Sequence, residues 1–383
     1  MKKICFVTTV SVTMKSFVLE TAKHLHNECG YDVTLICSPD EAFQKSLPEY
    51  IRFIPVEMVR GVSLSGVASM LKLAKIFKRE RFDLIEYMTP NASFYSSMAG
   101  FLSGTKLRIY SQCGIRYVSF SGFKRTVFKT VEKLTCAFST LVKGQSPKNM
   151  QFAIDEGLCK ADKISVVGIG GTIGVELDKC RAFDHAQKRA ELRKKYGIPE
   201  NAFVYGYVGR VNADKGINEL VEAFRIVSET KKDAYLVLVG MLDDANPISE
   251  ENLAYAKESA NIVLTGNVPA SEVYHHMAMF DVLTHPTYRE GFGKVLQEAM
   301  GVGVPIITTN VPGPSEVIED GVSGILCEVK NPQDLADKMK LLHENDSMRE
   351  SFSTAGLERA EKYFDRPIML NNILVDMNGI LNR

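Results

Sequence analysis

Thirteen short β-rich runs alternate with helical stretches along this 383-residue chain, and that alternation constrains the fold more than any other feature. Residues 3–8, 32–37, 52–56, 83–87, 107–111, 139–142 and 164–167 are such runs in the first half. Residues 203–208, 234–239, 262–264, 282–285, 305–308 and 324–327 repeat the theme in the second. Between them lie patterns such as Ile217, Leu220, Phe224 and Val227, spaced for one face of a helix. Strands that alternate with helices pair in parallel, because each crossover must travel back over the sheet. The expected fold class is therefore α/β: two Rossmann-like, doubly wound parallel sheets with helices on both faces. The charged segment 178–195 separates the two sets, so the first domain is expected to span 1–167 and the second 168–366.

Composition excludes several classes. With 45% hydrophobic and 24% charged residues, the chain can bury two cores as an ordinary globular protein. No apolar run approaches the ~20 residues a bilayer-spanning helix needs. Met1-Lys2-Lys3-Ile4-Cys5-Phe6-Val7 reads as a buried strand rather than a signal peptide, which implies a cytoplasmic protein. The eight cysteines form no C-x-x-C pair, so reduced core thiols are expected, with no disulfide framework or zinc site. Gly168-Ile169-Gly170-Gly171-Thr172-Ile173-Gly174 lacks the G-x-G-x-x-G spacing and is read as an interdomain loop, not a dinucleotide site.

The chemistry concentrates in Tyr288-Arg289-Glu290-Gly291-Phe292-Gly293-Lys294-Val295-Leu296-Gln297-Glu298. A short apolar run precedes it, and strong helix formers follow from Lys294. Gly291 and Gly293 let a ligand approach the backbone, and the N–H groups opening the following helix would favour an anion. Glu290 before the turn and Glu298 one helical turn inside can accept hydrogen bonds from sugar hydroxyls in one pocket. An acidic residue before a helix can also serve the cap alone. A second group lies upstream, where 203–208 ends in Gly209-Arg210, with Lys215-Gly216 after a polar turn. Arg210 offers a planar charged fork and Lys215 a mobile point charge, a pairing suited to a diphosphate. His285, beside Pro286 at a strand end, reads as structural.

The Glu-x7-Glu spacing of Glu290 and Glu298 within Glu-Gly-Phe-Gly resembles the signature of family-4 retaining glycosyltransferases of the GT-B fold. Ala299-Met300-Gly301-Val302-Gly303-Val304-Pro305 and Gly313-Pro314-Ser315-Glu316-Val317-Ile318 are similar to that family's downstream blocks. The resemblance implies transfer of a sugar, with retention, from a nucleotide-diphosphate sugar to a hydroxyl, uracil being the expected base. It assigns Arg210, Lys215 and Glu290 to catalysis. Donor binding falls to Glu298, Gly209, Gly291, Phe292, Gly293, Lys294, Val295 and Val268. The donor is a substrate and no cofactor is implied. No metal is expected, since no Asp-x-Asp occurs and cations plus a helix end replace it. The resemblance further implies that the final helix, about 367–383, returns to the first domain.

The first half departs from the family. Thr8-Thr9-Val10-Ser11-Val12-Thr13-Met14 has no glycine, and no His follows the strand near residue 110, leaving Gln112 or Arg116 to take its place. The zero net charge hides an asymmetry, because residues 1–166 carry 23 basic and 14 acidic side chains. From Lys106 to Lys148 there are nine basic residues and one acid, Glu132, interleaved with aromatics. Lys124, Arg125 and Lys129 there, with Gln112 and Arg116, point to an anionic membrane surface and a glycan or lipid-pyrophosphate-linked acceptor at the inner face of the plasma membrane. No nucleic-acid motif accompanies them. The alternatives are a sugar-nucleotide epimerase or phosphorylase of the same fold, or a nucleotide-sugar-binding scaffold without activity.

Overall fold

The computed structural model describes residues 1–58 and 64–382, apart from the side chains of Leu64, Ser65, Arg116 and Ser119. It divides into two compact units, Met1–Ile173 with Met369–Arg383, and Gly174–Ile368. In unit 1, β1 (Lys3–Val7), β2 (Asp32–Cys37), β3 (Ile51–Pro55), β4 (Leu84–Tyr87), β5 (Leu107–Gln112), β6 (Leu141–Gly144) and β7 (Ile164–Val166) form one sheet. Its order is β3-β2-β1-β4-β5-β6-β7 and its ladders are parallel, with Ile4 opposite Val33 on one side and Leu84 on the other. Unit 2 holds β8 (Phe203–Val208), β9 (Ala234–Val239), β10 (Ile262–Gly266), β11 (Val282–His285), β12 (Ile306–Thr309) and β13 (Ile325–Cys327). Their order is β10-β9-β8-β11-β12-β13, again parallel. Two doubly wound α/β units are what the alternation of strands and helices requires.

Both faces of each sheet are covered, which is why the strands read as continuous apolar runs. In unit 1, Cys5, Val7, Ile85 and Tyr87 face one core, whereas Ile4, Phe6 and Leu84 face another. The helix Arg366–Leu381 adds Met377, Ile380 and Leu381 to the second of these cores. Polar contacts fix it further: the Lys143 ammonium lies 2.7 Å from Asp376 Oδ1, and the Tyr31 hydroxyl donates to Asn378. The end of this helix therefore belongs to unit 1.

Three local expectations shift. The sixth strand begins two residues later than read, because Ser139 closes the preceding helix, donating its hydroxyl to Thr135 O at 2.6 Å. The charged segment 178–195, expected to separate the two sets within an irregular stretch, does so as two helices, Leu177–Arg181 and His185–Lys195. Its charge is used internally: Arg193, 2% exposed, donates to the carbonyls of Glu200 (2.8 Å) and Ala202 (2.7 Å) and pairs with Asp281 (2.8 Å). The division between units falls at Ile173/Gly174 rather than after Val167, and Gly171 N–H, donating to Gln145 O at 2.8 Å, holds the glycine turn on unit 1.

Candidate active site

In unit 2 the chain steps outward from β8 to β9 and β10, then returns to place β11 on the other side of β8. A doubly wound sheet binds its ligands beyond the carboxyl ends of the strands at such a reversal, where the flanking loops part. Residues 209–216 leave β8 and residues 286–293 leave β11, so both segments singled out from the sequence meet at the reversal.

Local chemistry shapes the first loop. Asn212 accepts a hydrogen bond from Lys215 N–H at 3.1 Å, forming a tight turn that presents the lysine. Gly216 (φ 71°) opens the helix Ile217–Thr230, and a Cβ there would fall 1.9 Å from Pro286 O. Only glycine lets the two loops pass this closely. They are then laced together. Tyr288 N–H donates to Asp214 O at 3.0 Å, the Arg289 guanidinium meets Asp214 Oδ2 at 2.8 Å, and the Tyr288 hydroxyl reaches Glu219 at 2.5 Å.

The Lys215 ammonium donates to Glu290, the two side chains being 19% and 28% exposed. Burial opposes ionisation of Glu290, but the Lys215 ammonium beside it outweighs burial and holds the carboxyl far below the usual range. Arg210 stands apart from this pair. Its guanidinium, 69% exposed, meets Asp243 Oδ2 at 2.6 Å, and Asp243 also accepts from Asn212 at 2.9 Å. One carboxylate cannot occupy all five donors of the fork, so Arg210 is oriented with N–H groups to spare.

Gly293 (φ 97°) precedes the helix Lys294–Val302, whose first N–H groups have no acceptor within the helix. Lys294 donates to Glu298 one turn on, and Val295 is half-buried between them. Gly291 packs against the turn at Gly313, where a Cβ would sit 2.7 Å from Gly291 O. Phe292 is buried edge-on against Phe364, ring centroids 5.8 Å apart, and anchors the turn from the core side. Gly209 (φ 148°) lies under the Tyr207 hydroxyl, which donates to Arg210 O at 2.8 Å. Val268 is half-buried in the segment after β10.

In unit 1, Gln112 is buried and its amide donates to Glu132 at 2.7 Å, beside the Tyr110 hydroxyl on the same oxygen. The side chain of Arg116 lies outside the described residues. On the helix Gly122–Phe138, Lys129 binds Glu156 at 2.6 Å and Arg125 approaches the same oxygen at 3.6 Å. The Lys124 ammonium sits 4.2 Å from the centre of the Phe120 ring. Phe123 is 84% exposed on this helix, and Val127 and Leu134 are exposed on the same stripe.

Sequence reasoning passed over Asp243, Asn212 and Thr89. Thr89 lies beyond β4 at the reversal of the first sheet, with φ 73°, a region β-branched residues seldom enter. Its hydroxyl is 2.7 Å from that of Thr9, beyond β1. The Asp243-Asp244 pair just past a strand end was the available signal for the partner of Arg210.

Comparison with known proteins agrees with this arrangement. The family described as "Glycosyl transferases group 1" matches residues 188–359, and "Glycosyl transferase 4-like" matches residues 3–146. The capsular polysaccharide biosynthesis glycosyltransferase CapM of Staphylococcus aureus is 32% identical over 361 residues, covering 91% of this chain and 92% of CapM. The UDP-Gal:alpha-D-GlcNAc-diphosphoundecaprenol alpha-1,3-galactosyltransferase of Escherichia coli is 24% identical, covering 82% of this chain and 80% of the enzyme. Among solved structures, Anabaena Alr3699/HepE in complex with UDP-glucose superimposes with a TM-score of 0.80 at 19% identity, over 99% of this chain and 100% of that one. Twin doubly wound sheets carrying these loops are the architecture of a GT-B glycosyltransferase. The chain belongs to glycosyltransferase family 4.

Proposed function

We propose that this protein transfers a sugar, with retention of configuration, from a UDP-sugar to a hydroxyl of a glycan or lipid-pyrophosphate-linked acceptor in cell-surface polysaccharide assembly. The lacing of the β8 and β11 loops, which sets Lys215 against Glu290, carries the reading. Departure of a nucleoside diphosphate concentrates negative charge on its oxygens, and preorganised donors aimed there lower the barrier most. Arg210, Lys215 and the amides opening the helix at Lys294 are those donors, so no metal or other cofactor is called for. Glu290 accepts hydroxyls of the transferred sugar and Glu298 those of the ribose. A front-face route needs no enzyme nucleophile, and the depressed pKa of Glu290 suits a carboxylate that stays ionised while it orients the sugar.

Names of the relatives support the substrate class: CapM acts in capsular polysaccharide biosynthesis, and the E. coli enzyme acts on a diphosphoundecaprenol acceptor. HepE was solved with UDP-glucose. Phe123, Val127 and Leu134 with Lys124 on one helix of unit 1 suit shallow contact with an anionic membrane, where such an acceptor is displayed. That placement is the inner face of the plasma membrane. Assay of a UDP-sugar panel, with and without membrane extract, tests the proposal. One donor should be consumed only when extract is present. Donor interconversion without extract, or turnover that requires inorganic phosphate, would replace transfer by epimerisation or phosphorolysis.

A further inference from the structure

His285 ends β11 at 1% exposure, yet among the described residues neither of its ring nitrogens has a hydrogen-bond partner. A buried polar group left unmet is costly, so a buried imidazole kept in this way calls for a second arrangement that satisfies it. Among the described residues, the acidic oxygen set against it in an ion-pair geometry is Glu290 Oε2, 3.9 Å from Nε2 and beyond hydrogen-bond range. Burial holds the imidazole neutral, with one N–H to give. The Tyr207 ring stacks parallel to it at 5.7 Å, and the Tyr207 hydroxyl donates to the carbonyl of Arg210. The His285 ring thus neighbours both Tyr207 and Glu290, with its backbone carbonyl fixed by the Thr308 hydroxyl at 2.9 Å.

Lys215 has two claims on it. It binds Glu290 here, and on the reading above it must also bind the diphosphate. We propose that His285 is a positioning residue whose Nε2–H takes over Glu290 as Lys215 turns to the diphosphate, fixing the carboxylate toward the transferred sugar. A side-chain rotation of Glu290 closes the remaining gap, and the carboxylate exchanges a cation for a neutral donor. The proposal rests on the donor-site reading of Lys215 and Glu290.

UDP affinity by calorimetry tests it in a double-mutant cycle, with ADP and GDP measured in parallel. His285→Phe keeps a ring on Tyr207 and removes the N–H. In the wild-type background it should weaken UDP binding by about 10- to 100-fold, the loss of a hydrogen bond to a charged group. In the Glu290→Gln background, where no carboxylate needs a partner, it should change affinity by no more than roughly twofold. His285→Gln, which retains an N–H donor, should recover much of the loss. Equal losses in both backgrounds, or none in either, would overturn the proposal while leaving the donor site in place. Failure of the parent protein to bind any of the three nucleotides would overturn the donor-site reading itself.

Discussion

Replacing Lys215 by Met separates what this residue does for the fold from what it does for the reaction. The ion pair with Glu290 is neither fully exposed nor fully buried, at 19% and 28% side-chain exposure. Exposed pairs contribute about 0–1 kcal/mol, and removing one partner of a buried pair costs about 3–5 kcal/mol, which places this loss at about 1–3 kcal/mol. For a unit of this size that is a fall in Tm of roughly 2–12 °C. The catalytic loss has another origin. Removing one preorganised donor from the developing charge costs about 100- to 1000-fold in kcat. Adding Glu290→Gln to Lys215→Met leaves a neutral pair, so Tm should return toward wild type while turnover stays at the floor. Thermal unfolding and UDP release from the donor chosen by the panel measure the two quantities. A Lys215→Met protein with kcat within a few-fold of wild type would refute the leaving-group role, and a double variant less stable than the single one would refute the electrostatic account of the pair.

Gly216→Ala places a methyl 1.9 Å from Pro286 O at φ 71°, so the loops must part, and both Tm and UDP affinity should drop together in unfolding and calorimetric assays. Burial raises the pKa of Glu132 despite the hydrogen bonds from Tyr110 and Gln112, so its stabilising contribution is present at low pH and is lost as pH rises through the folded value. Glu132→Gln should therefore flatten the decline in Tm as pH rises above the ordinary carboxylate range, and an unchanged pH profile would count against burial as the cause. Lys124→Glu with Phe123→Asp should lower binding to phosphatidylglycerol vesicles by about tenfold or more in a co-sedimentation assay, since each basic residue near the surface contributes about 1 kcal/mol. Turnover should be unchanged by EDTA, and a loss restored by a divalent cation would contradict the metal-free account.

The strands were legible because both faces of a parallel strand are buried and the residues themselves must be apolar. The site was legible only as ingredients. Arg210, Lys215, Glu290 and Glu298 declare themselves through glycine turns and charge, yet Lys215 and Glu290 lie 75 residues apart and meet only because β11 returns to the flank of β8. Nothing in the local sequence encodes that return. The same holds for charges with hidden partners: Arg193 belongs to a run of charges in the sequence, but the helix His185–Lys195 sets it on Asp281, which also accepts the N–H of Val204 in β8. In the basic patch the error runs the other way, because Glu156 comes from a different helix to occupy Lys129 and Arg125, so fewer charges face outward than the run from Lys106 to Lys148 suggests. His285 joins the two cases. Its apolar strand and following proline describe a core residue, and burial bears that out, but the unpaired nitrogens and the carboxylate at 3.9 Å exist only in three dimensions. A buried polar group without a partner was the signal that the sequence could not carry, and it is what turns a structural histidine into a candidate for steering Glu290.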